Sequence, residues 1–293
     1  MLSYRHGFHA GNHADVLKHL TLVQILAHLT QKPTPLRVID THAGAGRYRL
    51  DTETAQKLNE HQNGIVRLWK ERKTSGLPSA VRAYLTLVAA LNGNGETLAH
   101  YPGSPWFARH LLRPQDRLHL FELHGNEFRN LARNFQGAGR TVALSPEDGL
   151  SHLKALLPPP SRRGLILLDP SYETASDYAR LPESVRDALK RFPTGICMVW
   201  LPLLARREAR QLPERLKRLA PDWLYASLQV RAAPSDGIGL YGSALWIANP
   251  PWTLAGTLAE TLPWLAHHLA QDATATGRVE TSTFSCAHPA SSC

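Results

Sequence analysis

The chain has 293 residues, 43% hydrophobic and 19% charged, so it is long enough to bury a core without disulfides and too apolar for wholesale disorder. Three cysteines (Cys197, Cys286, Cys293) without a CxxC pair exclude a disulfide framework and a cysteine zinc site. The start MLSYRHGFHAGNH lacks an apolar h-region, and the longest apolar run, GICMVWLPLLA, falls short of the about 18 residues of a membrane span, so a cytoplasmic protein with no membrane contact is expected. The net charge of +9 is uneven. Residues 232–293 carry −3 and the first 231 carry +12, with 25 Arg against 8 Lys, a balance suited to phosphate and base contacts and hence to nucleic acid.

Asn12 or Asp15 opens a helical pattern of Val16, Leu17, Leu20, Val23, Leu26 and Ala27, which Pro33 and Pro35 end. LRVID (36–40) reads as a buried strand stopped by glycines. Residues 52–93 read as helices, with stripes of Ile65, Leu68, Trp69 and of Val81, Tyr84, Leu85, Val88. HYPGSP (100–105) reads as a loop before a short helix. Strands follow in RLHLFELH, RTVALS, RGLILLDP, GICMVWLPL, WLYASLQV and GSALWIANP, with helices between most of them. Alternating strands and helices call for a doubly wound α/β fold on a mostly parallel sheet. The expected organisation is a first segment and strand in 1–46, a helical subdomain inserted at 47–103, the rest of the main domain in 104–271, and a loosely ordered Ala/Thr/Ser-rich tail in 272–293.

The first strand runs into DTHAGAGRY, so Gly44 and Gly46 sit outside its carboxyl end, where such sheets bind ligands. Arg49 stands where a dinucleotide fingerprint needs its third glycine, which argues against an NAD enzyme. Glu122 after the second strand could grip a ribose, and Asp148 after the third could accept from an adenine amino group. Asp169 opens an Asp-Pro-x-aromatic loop in LLDPSYE. An exocyclic amine on a nucleobase is a poor nucleophile because its lone pair is delocalised. The Asp169 carboxylate and the Pro170 carbonyl could accept its two N–H groups while Tyr172 stacks on the extruded base. NPPW (249–252) resembles the same pattern, but it ends the last strand, away from a donor bound beside strand one, and reads as a structural turn. Four histidines, His6, His9, His13 and His19, crowd the start with Asp15. Arg5 and Lys18 beside them disfavour a metal site, and Tyr4, Arg5, His6 and Lys18 suit stacking and phosphate contact instead.

YRHGFHAGNHADVLKH, DTHAGAGRY, YPGSP, FELH, EDG and SRRGLILLDPSYE together resemble the RlmJ-type ribosomal RNA methyltransferases, over residues 1 to about 265. The resemblance implies a class I, Rossmann-like methyltransferase sheet with a helical subdomain inserted after strand one. It also implies transfer of a methyl group from S-adenosylmethionine to the N6 amino group of one adenine in 23S rRNA, A2030 in rRNA numbering. By the resemblance, cofactor contacts fall on His19, His42, Ser104, Glu122, Asp148 with Gly149, and Asp169, to which the glycine turn after strand one adds Gly44. The resemblance puts catalysis on Asp169 and RNA contact on Tyr4; the amine chemistry above adds Pro170 and Tyr172, and the basic set at the start adds Arg5, His6 and Lys18. The expected partner is 23S rRNA before full ribosome assembly, and the expected state a monomer. A DNA adenine methyltransferase and a catalytically weakened RNA-binding protein of the same fold are the alternatives. Ser171 departs from the family's Asp-Pro-Pro-Tyr; losing that proline frees the loop backbone, so a slower enzyme is expected.

Overall fold

The computed structural model describes residues 6–237 and 239–282. Tyr4 and Arg5 lie outside the described residues, as do Cys286 and Cys293; Cys197 is a buried free thiol. No described helix is long and apolar enough to cross a membrane.

Asn12 starts helix α1 (His13–Leu29) by accepting the Ala14 and Asp15 N–H groups on Oδ1, each at 3.0 Å. The cap satisfies donors that a helix end leaves free. Most of α1 is buried around its whole circumference, so it carries apolar residues on all sides rather than a stripe. Asp15, Lys18 and His19, at i, i+3 and i+4, consequently share an inward face.

The strands are β1 (Arg37–Asp40), β2 (Arg47–Arg49), β3 (His100–Pro102), β4 (Arg117–Phe121), β5 (Val142–Ser145), β6 (Gly164–Leu168), β7 (Ile196–Leu203), β8 (Trp223–Gln229), β9 (Gly242–Ala248) and β10 (Thr276–Thr281). Eight form one sheet in the order β10-β8-β9-β7-β6-β1-β4-β5. The strands from β5 to β7 pair in parallel, while β9 runs antiparallel between β7 and β8. The chain leaves β1 through β4 and β5, then returns to β6 on the other side of β1. That reversal opens a crevice at the carboxyl ends of β1 and β6.

Between β2 and β3 lie α2 (Glu53–Leu58), α3 (Ile65–Glu71) and α4 (Ser79–Leu91). Later helices are α5 (Ser104–Leu111), α6 (Gly125–Asn134), α7 (Gly149–Leu156), α8 (Ala175–Arg191), α9 (Arg207–Lys217) and α10 (Leu254–Leu269). Apolar side chains of α1, α3, α4, α5, α6 and α10 form one core on one sheet face, and those of α7, α8 and α9 form a second on the other. Val38 and Ile39 point into opposite cores, as alternation along a strand requires. Ile65, Trp69, Val81 and Tyr84 of the inserted helices belong to the same core as Leu17 and Leu20 of α1.

Two elements differ from the sequence expectation. The loop expected at 100–105 contributes β3, which pairs antiparallel with β2, Tyr101 opposite Tyr48. Each partner has only three residues, and the pairing spans the whole insertion, so no local pattern announces it. The tail expected to be loosely ordered from 272 contains β10, antiparallel to β8 at the sheet edge. Its sequence TGRVET is polar because an edge strand buries little side chain.

Candidate active site

The carboxyl edge gathers the ends of β1, β4, β5 and β6 around one cavity. His19, His42, Gly44, Ser104, Glu122, Asp148, Gly149 and Asp169 all line it. Gly44 lies at φ +59, where a Cβ would also come within 2.1 Å of the Tyr48 hydroxyl. Only glycine lets the backbone take this turn and donate its N–H to Glu122 Oε2 at 2.8 Å. Glu122 Oε1 accepts the His124 N–H at 2.7 Å. Burial raises the Glu122 carboxyl above its usual range despite those two bonds. The next acid, Asp148, caps α7 through the Leu150 N–H and meets Arg180 at 2.5 Å. Burial pulls it up, but Arg180 and Ser151 outweigh that and hold it below the usual carboxylate range. Gly149 packs so tightly that a Cβ would lie 2.6 Å from the Thr41 backbone.

Asp40, at the end of β1, is 2% exposed and accepts the Ser104 hydroxyl at 2.7 Å and the His42 N–H at 3.2 Å. Burial, with Asp169 adding to it, raises its pKa to about 6. His19 is fully enclosed, with Nδ1 2.8 Å from the Tyr101 hydroxyl. Its burial keeps the ring neutral by pushing the pKa well down. In His42, Nδ1 lies 2.8 Å from the Thr41 hydroxyl.

Asp169 stands at a junction. The residues His6, Lys18, Asp169, Pro170 and Ser171 line both this cavity and a second one on the side of α1 and the β8–β9 loop. Lys18 Nζ contacts Asp169 Oδ2 at 2.5 Å and Asp15 Oδ1 at 2.9 Å. Burial works against the ammonium, yet the two carboxylates outweigh it and push its pKa up. Asp15 is buried too, and His6, Lys18 and His19 overcome that burial and hold it well below the usual carboxylate range. His6 Nε2 meets Asp15 Oδ2 at 2.9 Å, and the Gly11 N–H donates to the same oxygen at 2.9 Å. Of the remaining N-terminal histidines, His9 meets Glu60 at 3.1 Å and His13 is buried.

Two expectations are corrected here. Lys18 is only 3% exposed and neutralised by two carboxylates, so it does not present a charge to an RNA phosphate. Tyr172 lines neither cavity. Its backbone sits at φ +54, which turns the ring into the core beneath the loop. There its O–H donates to the Trp200 carbonyl at 2.6 Å and its ring centroid lies 4.8 Å from that of Tyr178. It is therefore not positioned to stack on a base in the cavity.

NPPW sits at the opposite edge of the sheet, because β9 runs antiparallel to β7. Asn249 Nδ2 donates to the Pro193 and Gly195 carbonyls at 2.8 Å each, and Trp252 is 83% exposed. The segment is a structural turn. Asp40 is the first of three acids that close consecutive apolar strands in the sequence, with Glu122 and Asp148. Arg180 and the Asp15–Lys18–Asp169 arrangement have no such local signal, because they depend on contacts between distant segments.

The model of the family described as "Ribosomal RNA large subunit methyltransferase D, RlmJ" matches residues 33–283. The Escherichia coli protein named ribosomal RNA large subunit methyltransferase J is 43% identical over 90% of this chain and 93% of its own length. The Haemophilus influenzae protein of the same name is 39% identical over 96% and 98%. A crystal structure of a Legionella pneumophila protein, 36% identical, superposes with a TM-score of 0.86 over 94% of this chain and 99% of that one. The chain belongs to the RlmJ family of ribosomal RNA large subunit methyltransferases.

Proposed function

We propose that the protein methylates the N6 amino group of one adenine in 23S rRNA, A2030 by family likeness, using S-adenosylmethionine. The observation that carries the reading is the place of Asp169, between a cavity edged by strand-end acids and a second cavity open on the other side. One cavity suits the donor and the other the acceptor, with the motif acid between them.

The first cavity fits an adenosyl group. Each Glu122 oxygen already takes one backbone N–H, which fixes the carboxylate while leaving lone pairs for ribose hydroxyls. Asp148 and Gly149 lie where an adenine amino group would find an acceptor, and His19, His42 and Ser104 line the remainder. Bound there, S-adenosylmethionine would supply a methyl group on a sulfonium, open to in-line displacement. The chain's own part is to hold and prepare the amine. Asp169 and the Pro170 carbonyl accept its hydrogens and align the lone pair. Lys18 positions Asp169 by a 2.5 Å contact, and Asp15 fixes Lys18 in turn. His6 lines the rim shared by both cavities, and Tyr4 and Arg5, which precede it in the sequence, are assigned to RNA. The monomer would act in the cytoplasm on 23S rRNA before the subunit is fully assembled.

Asp169→Ala tests the assignment. Methylation of 23S rRNA should be lost, while S-adenosylmethionine affinity stays within about tenfold because several other groups share the binding. A variant that keeps substantial turnover removes Asp169 from the chemistry.

A further inference from the structure

The cavity on the far side of Asp169 contains a set of groups that methyl transfer does not use. Trp200 of β7 and Arg231, just beyond β8, both line it. Each is half-buried and has a nitrogen (Trp200 Nε1, Arg231 Nε) shielded from solvent with no hydrogen-bond partner. One other Arg231 nitrogen donates to the Leu240 carbonyl at 3.0 Å. Among the described residues, Arg231 has no carboxylate within ion-pair distance. Lys18, a second cation on this lining, is already shared by two carboxylates. His13 on the same wall is 7% exposed and lowered to about 4, chiefly by burial with Arg231 adding to it, so the ring is neutral. Arg231 therefore stands beside the cavity as a guanidinium without an ion-pair contact among the described residues, with Asp272 acting on it only from beyond that distance. Such a charge is costly to bury unless an anion meets it, and its planar fork suits phosphate oxygens.

Trp200 supplies the complementary part. The motif aromatic, Tyr172, is turned into the core, its ring centroid 5.9 Å from that of Trp200 and its hydroxyl on the Trp200 carbonyl. Tyr172 thus buttresses Trp200 instead of facing the cavity.

We infer that this second cavity holds the target nucleotide, with Trp200 as the surface its base stacks on and Arg231 as the contact to its backbone phosphate. The inference rests on the adenine methyltransferase reading and adds two positioning residues to it. An aromatic face, the acceptors Asp169 and Pro170 and a guanidinium match the three parts of a purine nucleotide: ring, amine and phosphodiester. The arrangement also explains how the loop can dispense with Tyr172 as a stacking partner.

Steady-state kinetics on an unmethylated 23S rRNA transcript test it, with S-adenosylmethionine affinity measured in parallel to report an intact fold. Arg231→Gln should raise KM for RNA about tenfold and reduce the slope of log(kcat/KM) against log salt by about one. Arg231→Lys, which keeps the charge but not the fork, should fall between. Trp200→Ala should raise KM by about tenfold or more, with Trp200→Phe recovering most of the loss. In each case the effect should fall on KM more than on kcat. If the wild type methylates and both Arg231→Gln and Trp200→Ala keep its KM and salt slope, the inference is overturned while the reaction stands. If the wild type binds S-adenosylmethionine but leaves every adenine unmodified, the reading beneath it falls as well.

Discussion

Replacing Lys18 by methionine probes the centre of the site. Lys18 is 4% exposed in its side chain and joins Asp15, 2% exposed, to Asp169, 15% exposed. Methionine keeps the length and apolar stem but leaves two carboxylates facing each other. Carboxylates that share one ammonium lie about 5 Å apart, and at an effective dielectric of about 20 their repulsion is about 3 kcal/mol. That equals about two pH units of proton affinity, so the pair should hold a proton into a higher pH range. The acid limb of kcat/KM for rRNA methylation should move up by about two pH units in Lys18→Met. Unfolding in urea should show a loss of about 3–5 kcal/mol, the usual cost of removing one partner from a buried ion pair. Asp15→Asn combined with Lys18→Met removes the repulsion and should return the acid limb towards wild type. A Lys18→Met enzyme with the wild-type pH profile, or a double variant no better than the single, would refute this electrostatic role.

Three further outcomes follow from the geometry. Asp40, raised by burial from 3.8 to about 6, holds a proton in the native state that the unfolded chain has released. Stability therefore falls as pH rises through that window, by about 3 kcal/mol in full; Asp40→Asn should be the more stable protein at about pH 8 and lose its advantage near pH 4, and an equal difference at both would contradict the burial argument. Gly149→Ala places a Cβ 2.6 Å from the Thr41 backbone, so calorimetry should show S-adenosylmethionine affinity down more than about tenfold and stability down about 1–3 kcal/mol; unchanged binding would mean the strand-end contact is not needed. Ser171→Pro restores a fixed φ in the Asp169–Tyr172 loop, which should raise kcat about two- to fivefold, the equivalent of about 0.4–1 kcal/mol. An unaltered turnover number would show that loop stiffness does not limit the enzyme.

The strand-end acids were legible because each ends a short apolar run, and a parallel sheet puts such ends on one edge. Gly44 was legible for the same reason, and its positive φ supplies the physical cause. The neutralisation of Lys18 was not legible, since Asp169 is 151 positions away and a lysine among histidines reads as an exposed basic patch. Tyr172 misled because its letter matches a stacking motif, whereas its direction is set by a left-handed backbone and the Trp200 carbonyl. The β2–β3 ribbon and β10 escaped detection because brief, polar or non-local pairings leave no hydrophobic period to count. Where the N-terminal histidines end up was likewise hidden, as Glu60 and Tyr101, which meet His9 and His19, lie in and beyond the inserted helices.

The most direct measurement is to incubate the protein with S-adenosylmethionine and deproteinised 23S rRNA lacking its own modification, with duplex DNA in parallel, and to identify the digested nucleosides by mass spectrometry. N6-methyladenosine in the RNA and no methylated deoxyadenosine in the DNA is the predicted result. Methylated deoxyadenosine would move the substrate to DNA, and no methylated nucleoside from protein that binds the cofactor would contradict the assignment.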